Sequence, residues 1–215
     1  MDDVLRMRDH WWPRPGWQPG RTVYTWHLTF EQADALHEHA RRYQDALTTP
    51  HLDLVPPQWL HLTVQALSYA DEISDEDRDA AVRSVAASVS AVPSFTMTFG
   101  RPTVRSEAVA MNPLPTEPLH ELWAAIRTGI ADALGTDAVQ TGPEQTKGFR
   151  PHVSVAYSSA EHDAAPIAAA LDAAQDEIGT VDVPVTTVSL IEQERLLAPH
   201  WLYRWTTVAA APLGR

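Results

Sequence analysis

The strongest constraint on the fold is a short strand pattern that occurs twice. Leu60-His61-Leu62-Thr63-Val64 and Pro151-His152-Val153-Ser154-Val155 share the order histidine, apolar residue, hydroxyl, valine, and His152 follows His61 by 91 residues. Both lie in runs rich in β-branched residues, which favour extended backbone. Residues two apart on a strand share a face, so each imidazole points the same way as its hydroxyl. A helical pattern follows each motif. The repetition therefore predicts a duplicated strand–helix unit, although the rest of the two halves shares little identity. Two such units facing each other would place two imidazoles and two hydroxyls around one small anion.

A third copy of the tripeptide, His27-Leu28-Thr29, ends the strand-like run 22–28. There Thr29-Phe30-Glu31-Gln32 fits a capping box that opens a helix, and Leu36, Ala40, Tyr43 and Leu47 recur at helical spacing up to Pro50. Ser74-Asp75-Glu76-Asp77 opens a second helix carrying Val82, Val85, Val89 and Val92. Thr116 caps a third with Leu119, Leu122, Ile126, Ile130 and Leu134, and Gly135 stops it. Pro166 suits the first turn of a fourth. Strands are expected over 59–67, 94–99, 103–111 and 149–157, with 183–190 and 201–209 as a closing hairpin. Helices alternating with hairpin-linked strands read as α+β, not as a doubly wound parallel sheet.

Composition narrows the function classes. A net charge of −12 disfavours broad contact with nucleic-acid backbones but leaves room for one phosphate in a lined groove. With no Cys there is no disulfide framework, thiolate nucleophile or Cys-ligated metal. No apolar run reaches the roughly 18 residues of a membrane span, and the acidic start carries no apolar signal segment. These features lead us to expect a cytoplasmic, non-membrane protein. Residues 1–21 form a Trp/Pro-rich arm, expected to be anchored by Trp11, Trp12 and Trp17, ahead of a single domain over 22–215. His37-Glu38-His39 invites a metal reading, but histidines two apart on a helix diverge, so they are expected at the surface. Asp75-Glu76-Asp77 and Asp176-Glu177 read as helix-end and solvated surface charges. His10, His51, His120, His162 and His200 have no partner at an informative spacing.

Cleaving a phosphodiester needs a base to activate the nucleophile and an acid to protonate the leaving alkoxide. Imidazole can serve as either near neutral pH, and hydroxyls can donate to the oxygens where charge grows. The paired motifs His61-Leu62-Thr63-Val64 and His152-Val153-Ser154-Val155 resemble those of the 2H phosphoesterase superfamily. With the flank Phe149-Arg150-Pro151 and the chain length, they are most similar to its LigT-like group of RNA 2′,3′-cyclic phosphodiesterases, often called 2′-5′ RNA ligases. The resemblance runs from about Thr22 to Pro212.

It implies a bilobal, pseudo-symmetric α+β fold, with two antiparallel sheets flanking a central groove and helices outside. It also implies metal-independent, cofactor-free hydrolysis of 2′,3′-cyclic phosphates to 2′-phosphates. His61 would protonate the leaving 3′ oxygen, His152 would take the proton of water, and Thr63 and Ser154 would hold the phosphate. Arg150, Tyr157, Tyr24 and His27 are further candidates for substrate contact. Two features depart from the pattern: Ser154 stands where Thr is commoner, and Tyr157 where many relatives carry a basic residue. The expected partners of this monomer are RNA cyclic-phosphate ends or small cyclic nucleotides. The alternatives are a module that binds phosphorylated ends without chemistry, or reversible 2′-5′ ligation, for which no nucleotidyl-transfer lysine motif is present.

Overall fold

The chain alternates strands and helices in the order β1 (Arg6–Met7), β2 (Thr22–Thr29), α1 (Asp34–Ala46), β3 (Leu52–Leu54), β4 (His61–Tyr69), α2 (Asp75–Val89). There follow β5 (Phe95–Phe99), β6 (Thr103–Val104), β7 (Ala108–Met111), α3 (Glu117–Leu134), β8 (Val153–Ser158) and β9 (His162–Asp163). The chain ends with α4 (Ala165–Ile178), β10 (Val181–Val185), β11 (Thr187–Leu196) and β12 (Leu202–Pro212). This computed structural model describes residues 5–139, 148–198 and 201–215, without the side chains at 176 and 177. The sequence readings of His200 and of the Asp176 and Glu177 side chains lie outside the described residues.

Two four-stranded sheets carry the fold, one in the order β12-β11-β2-β4 and one in the order β3-β8-β7-β6, with every pairing antiparallel. Two short pairs, β5 with β10 and β1 with β9, complete it. This is the expected α+β class with antiparallel sheets. Residues alternate across β2. Tyr24, Trp26 and Leu28 point to one face with Leu62 of β4, and all are buried. That face meets helices, since α3 packs on β4 and α2 on β12. Burying side chains of this size contributes on the order of 2 kcal/mol each. Helices α2 and α3 approach so closely that a Cβ on Gly129 would lie 2.6 Å from the Cα of Val85. On the other side, Gln44 of α1 ties the second sheet down by donating from Nε2 to the carbonyls of Val55 and Val155, both at 2.8 Å.

Several local expectations need correction. The run 103–111 is a hairpin, β6 against β7. The run 183–190 breaks at Thr186, sending β10 to β5 and β11 to β2 and β12. The capping box at Thr29 does not form. Thr29 is still in β2, paired with His61, and α1 starts at Asp34 without a side-chain cap. Glu31 instead accepts a bond from Trp205 Nε1 at 3.1 Å. Thr116 occupies the N-cap of α3 with helical backbone and no side-chain bond, whereas Ser74 caps α2 by accepting from the Asp77 N–H. Nor is His37-Glu38-His39 a free surface: His39 is buried beside the Gly100 carbonyl at 3.3 Å, and His37 donates to the Phe30 carbonyl at 2.6 Å.

The N-terminal arm lies against the body. Trp11 is buried and donates from Nε1 to Asp53 at 2.8 Å, while Arg195 donates to the carbonyls of His10 and Trp12. Trp12 is 39% exposed but donates from Nε1 to Glu107 at 3.3 Å, so of the three tryptophans expected to anchor the arm Trp11 is the buried one. Trp17 packs on Tyr69 and Tyr203.

Candidate active site

His61 is the first residue of β4, and His152 directly precedes the first residue of β8. Each is preceded by a buried residue, Leu60 and Pro151, which sets the ring at the mouth of its strand. Both rings are braced in the same way. His61 Nδ1 lies 2.9 Å from the carbonyl of Trp59, two residues earlier, and His152 Nδ1 lies 2.8 Å from the carbonyl of Arg150. A carbonyl only accepts, so each Nδ1 carries the proton and donates it. In each neutral ring Nε2 is then the nitrogen able to accept a proton. Strands β4 and β8 touch across the two sheets, and His152 acts electrostatically on His61.

The surroundings of His61 come from four parts of the chain. His27 of β2 stacks on it, with centroids 4.8 Å apart and planes 2° from parallel. Trp205 of β12 meets its edge at 5.2 Å and Tyr203 at 6.2 Å. Tyr203 also contacts Tyr157 of β8 at 5.7 Å, linking the two sheets beside the histidine. His10 of the arm stacks on Tyr157 at 4.2 Å, and its Nε2 lies 3.1 Å from Tyr203 Oη. On its other side, His10 faces Glu107, which also pairs with Arg8 and Arg14. Burial alone would raise the pKa of Glu107, but the bond to His10 and the charges of Arg14, His10 and Arg8 outweigh it and bring it to about 2.

Burial is also the main influence on His61, lowering its pKa to about 4. The bond to Trp59 opposes this, while nearby His152 and His10 add to the lowering. His27, fully buried, is pushed well below the usual imidazole range, first by burial and then by His61.

The predicted hydroxyls have different settings. Thr63 is exposed, and its Oγ1 lies 3.0 Å from His27 Nε2; Ser154 is mostly buried on β8 opposite Ala110. Arg150 is exposed and contributes its carbonyl to the His152 brace. Tyr157 is buried under His10. Tyr24 does not belong with this group. It points from β2 to the helix-covered face, where the Arg78 guanidinium of α2 lies over its ring at 5.6 Å and donates to its Oη at 3.4 Å. Nor is His27 at a strand end: it sits inside β2, on the site face, beneath Thr63. His10, Tyr203 and Trp205 were missed, because no local spacing links residue 10 to residue 203.

A profile of the 2′-5′ RNA ligase superfamily matches residues 30–196. The chain belongs to this superfamily. Its fold agrees with solved structures: TT0787 of Thermus thermophilus aligns with TM-score 0.65 at 19% identity, over 91% of this chain and 99% of that one. Escherichia coli LigT in its apo form aligns with TM-score 0.62 at 18% identity, again over 91% and 99%. No curated protein sequence matches the chain. The protein is thus a LigT-like 2H phosphoesterase in fold and family, an enzyme class that processes phosphodiester bonds. His10, His27, Tyr203 and Trp205 all lie outside the matched span. Among the described residues, no helix is long and apolar enough to cross a membrane.

Proposed function

We propose that this superfamily member hydrolyses 2′,3′-cyclic phosphodiesters to 2′-phosphomonoesters, using His61 and His152 as a metal-independent acid/base pair. Thr63 and Ser154 donate to the non-bridging oxygens. The observation that carries this reading is the matched brace: each motif histidine spends Nδ1 on the carbonyl two residues back and turns Nε2 to the chemistry. A residue pair built only to bind would need no such control of tautomer. E. coli LigT has been crystallised with phosphate, with ATP, with NADP+ and with 3′-AMP, which supports a nucleotide phosphate as ligand here. The net charge of −12 favours short ends and mononucleotides over long RNA.

The resemblance gives the proton-donor role to His61. One observation favours the opposite division: burial holds His61 neutral at pH 7, the form that accepts a proton from water. A p-nitrophenyl phosphodiester separates the two, because its leaving group needs no acid. The variant lacking the acid keeps turnover on it, and the variant lacking the base does not. If His61→Ala loses this substrate while His152→Ala retains it, His61 is the base.

The defining test is a panel of 2′,3′-cyclic nucleotides and short cyclic-ended oligonucleotides, with and without EDTA and with products resolved. Release of 2′-monophosphates, unchanged by EDTA, is expected. Tight phosphate binding with no product from any cyclic ester would replace the reading with a binding module. Joining of a 5′-hydroxyl end to the cyclic phosphate would replace it with 2′-5′ ligation.

A further inference from the structure

The phosphoesterase chemistry has no direct use for His27, yet its ring is built into the site. It lies parallel to His61 at 4.8 Å, and its Nε2 is 3.0 Å from Thr63 Oγ1. The pairing of β2 with β4 sets His27 directly opposite Thr63, so the contact is fixed by backbone register. The other ring nitrogen, Nδ1, is buried without a hydrogen-bond partner. From this asymmetry we propose that His27 is a positioning residue: as the Nε2–H tautomer it donates to Thr63 Oγ1 and so directs the threonine's own hydrogen to the phosphate.

A neutral imidazole carries one ring proton, and a hydroxyl has one hydrogen to give. If the His27 proton sat on Nδ1, it would be an orphan donor in the interior, a rarer and costlier situation than an unused acceptor lone pair. Thr63 would then have to donate to Nε2 and would present only lone pairs to an anion. With the proton on Nε2, Nδ1 is merely an unused acceptor and the Thr63 hydroxyl is a donor aimed at the substrate oxygens. Full burial keeps the ring from taking a second proton. The stack on His61 adds a second constraint, holding the catalytic ring flat against a partner that does not change charge.

This inference rests on the phosphoesterase reading, and its test has an arm that needs no activity. Ring 15N shifts of the native protein, assigned by the signal lost in His27→Gln, are expected to show His27 protonated at Nε2 and bare at Nδ1 from pH 8 to pH 5. A proton on Nδ1, or titration near the usual imidazole pKa, overturns the proposal whatever the enzyme hydrolyses.

The kinetic arm uses two variants. Glutamine can place an amide N–H where Nε2 stood, so His27→Gln should keep kcat within about tenfold of the native value. His27→Phe keeps the stack but removes the donor, and should lower kcat by roughly 10²–10³ with little change in KM, as expected for one lost oxyanion donor. In a Thr63→Val background, the same His27→Phe change should cost almost nothing more. Independent, multiplying losses in the double variant would mark a merely structural role and defeat the proposal. If His27→Phe does not fold, the 15N measurement on the native protein decides alone. If the native protein turns over no cyclic phosphate, the functional reading fails while the tautomer result stands.

Discussion

The two halves of the site carry the same brace in different settings. His61 is enclosed by His27, Trp205 and Tyr203, and its pKa falls to about 4. His152 holds the equivalent bond at the edge of β8, next to the exposed Arg150. The hydroxyls differ in the same sense, since Thr63 is backed by a buried histidine while Ser154 sits in the β7–β8 ladder. The two motifs thus share the contact that puts the proton on Nδ1, while their environments differ. Such a difference in environment is what would let two imidazoles take the acid and base roles of the proposed hydrolysis.

The comparison can be broken most severely at the rings. His61→Ala and His152→Ala should each lower kcat for a 2′,3′-cyclic nucleotide by about 10²–10⁴, with the double variant little worse than the poorer single. Near-native turnover in either one would mean that the halves do not act together. The hydroxyls come next. Thr63→Val and Ser154→Ala should each cost roughly 10²–10³ in kcat, whereas Ser154→Thr, which keeps the donor, should stay within about tenfold.

A third measurement addresses burial. His61 has a lowered folded-state pKa, so between about 6.5 and about 4 the unfolded chain binds the extra proton, and stability contributed above that window is lost as pH falls through it. Melting temperature should drop across this range, and less steeply in His61→Asn. The difference between the two proteins should amount to at most about 3 kcal/mol. Identical pH dependence would show that His61 is not desolvated. The smallest effect should come from the other face of β2, where Tyr24→Phe should leave kcat within about twofold. A larger loss would put Tyr24 back among the substrate contacts.

Much of this was legible in the sequence where it was local. The motif pair, the amphipathic helices and the α+β order follow from periodicity, and the strand alternation puts His61 with Thr63. What escaped depends on register and long-range packing. A one-residue difference in facing separates Tyr24, under Arg78, from His27, under Thr63, and only the β2–β4 pairing decides it. The Thr29 capping box failed because its backbone was claimed by the sheet. His10 gave no signal, since the arm reaches Tyr157 and Tyr203 through loop geometry that no periodicity encodes.

The decisive measurement is a crystal structure with a nucleoside 2′-monophosphate bound. One phosphate is expected between Nε2 of His61 and Nε2 of His152, with Thr63 Oγ1 and Ser154 Oγ on its non-bridging oxygens. A phosphate seated away from either ring, or bound through Nδ1, would contradict it.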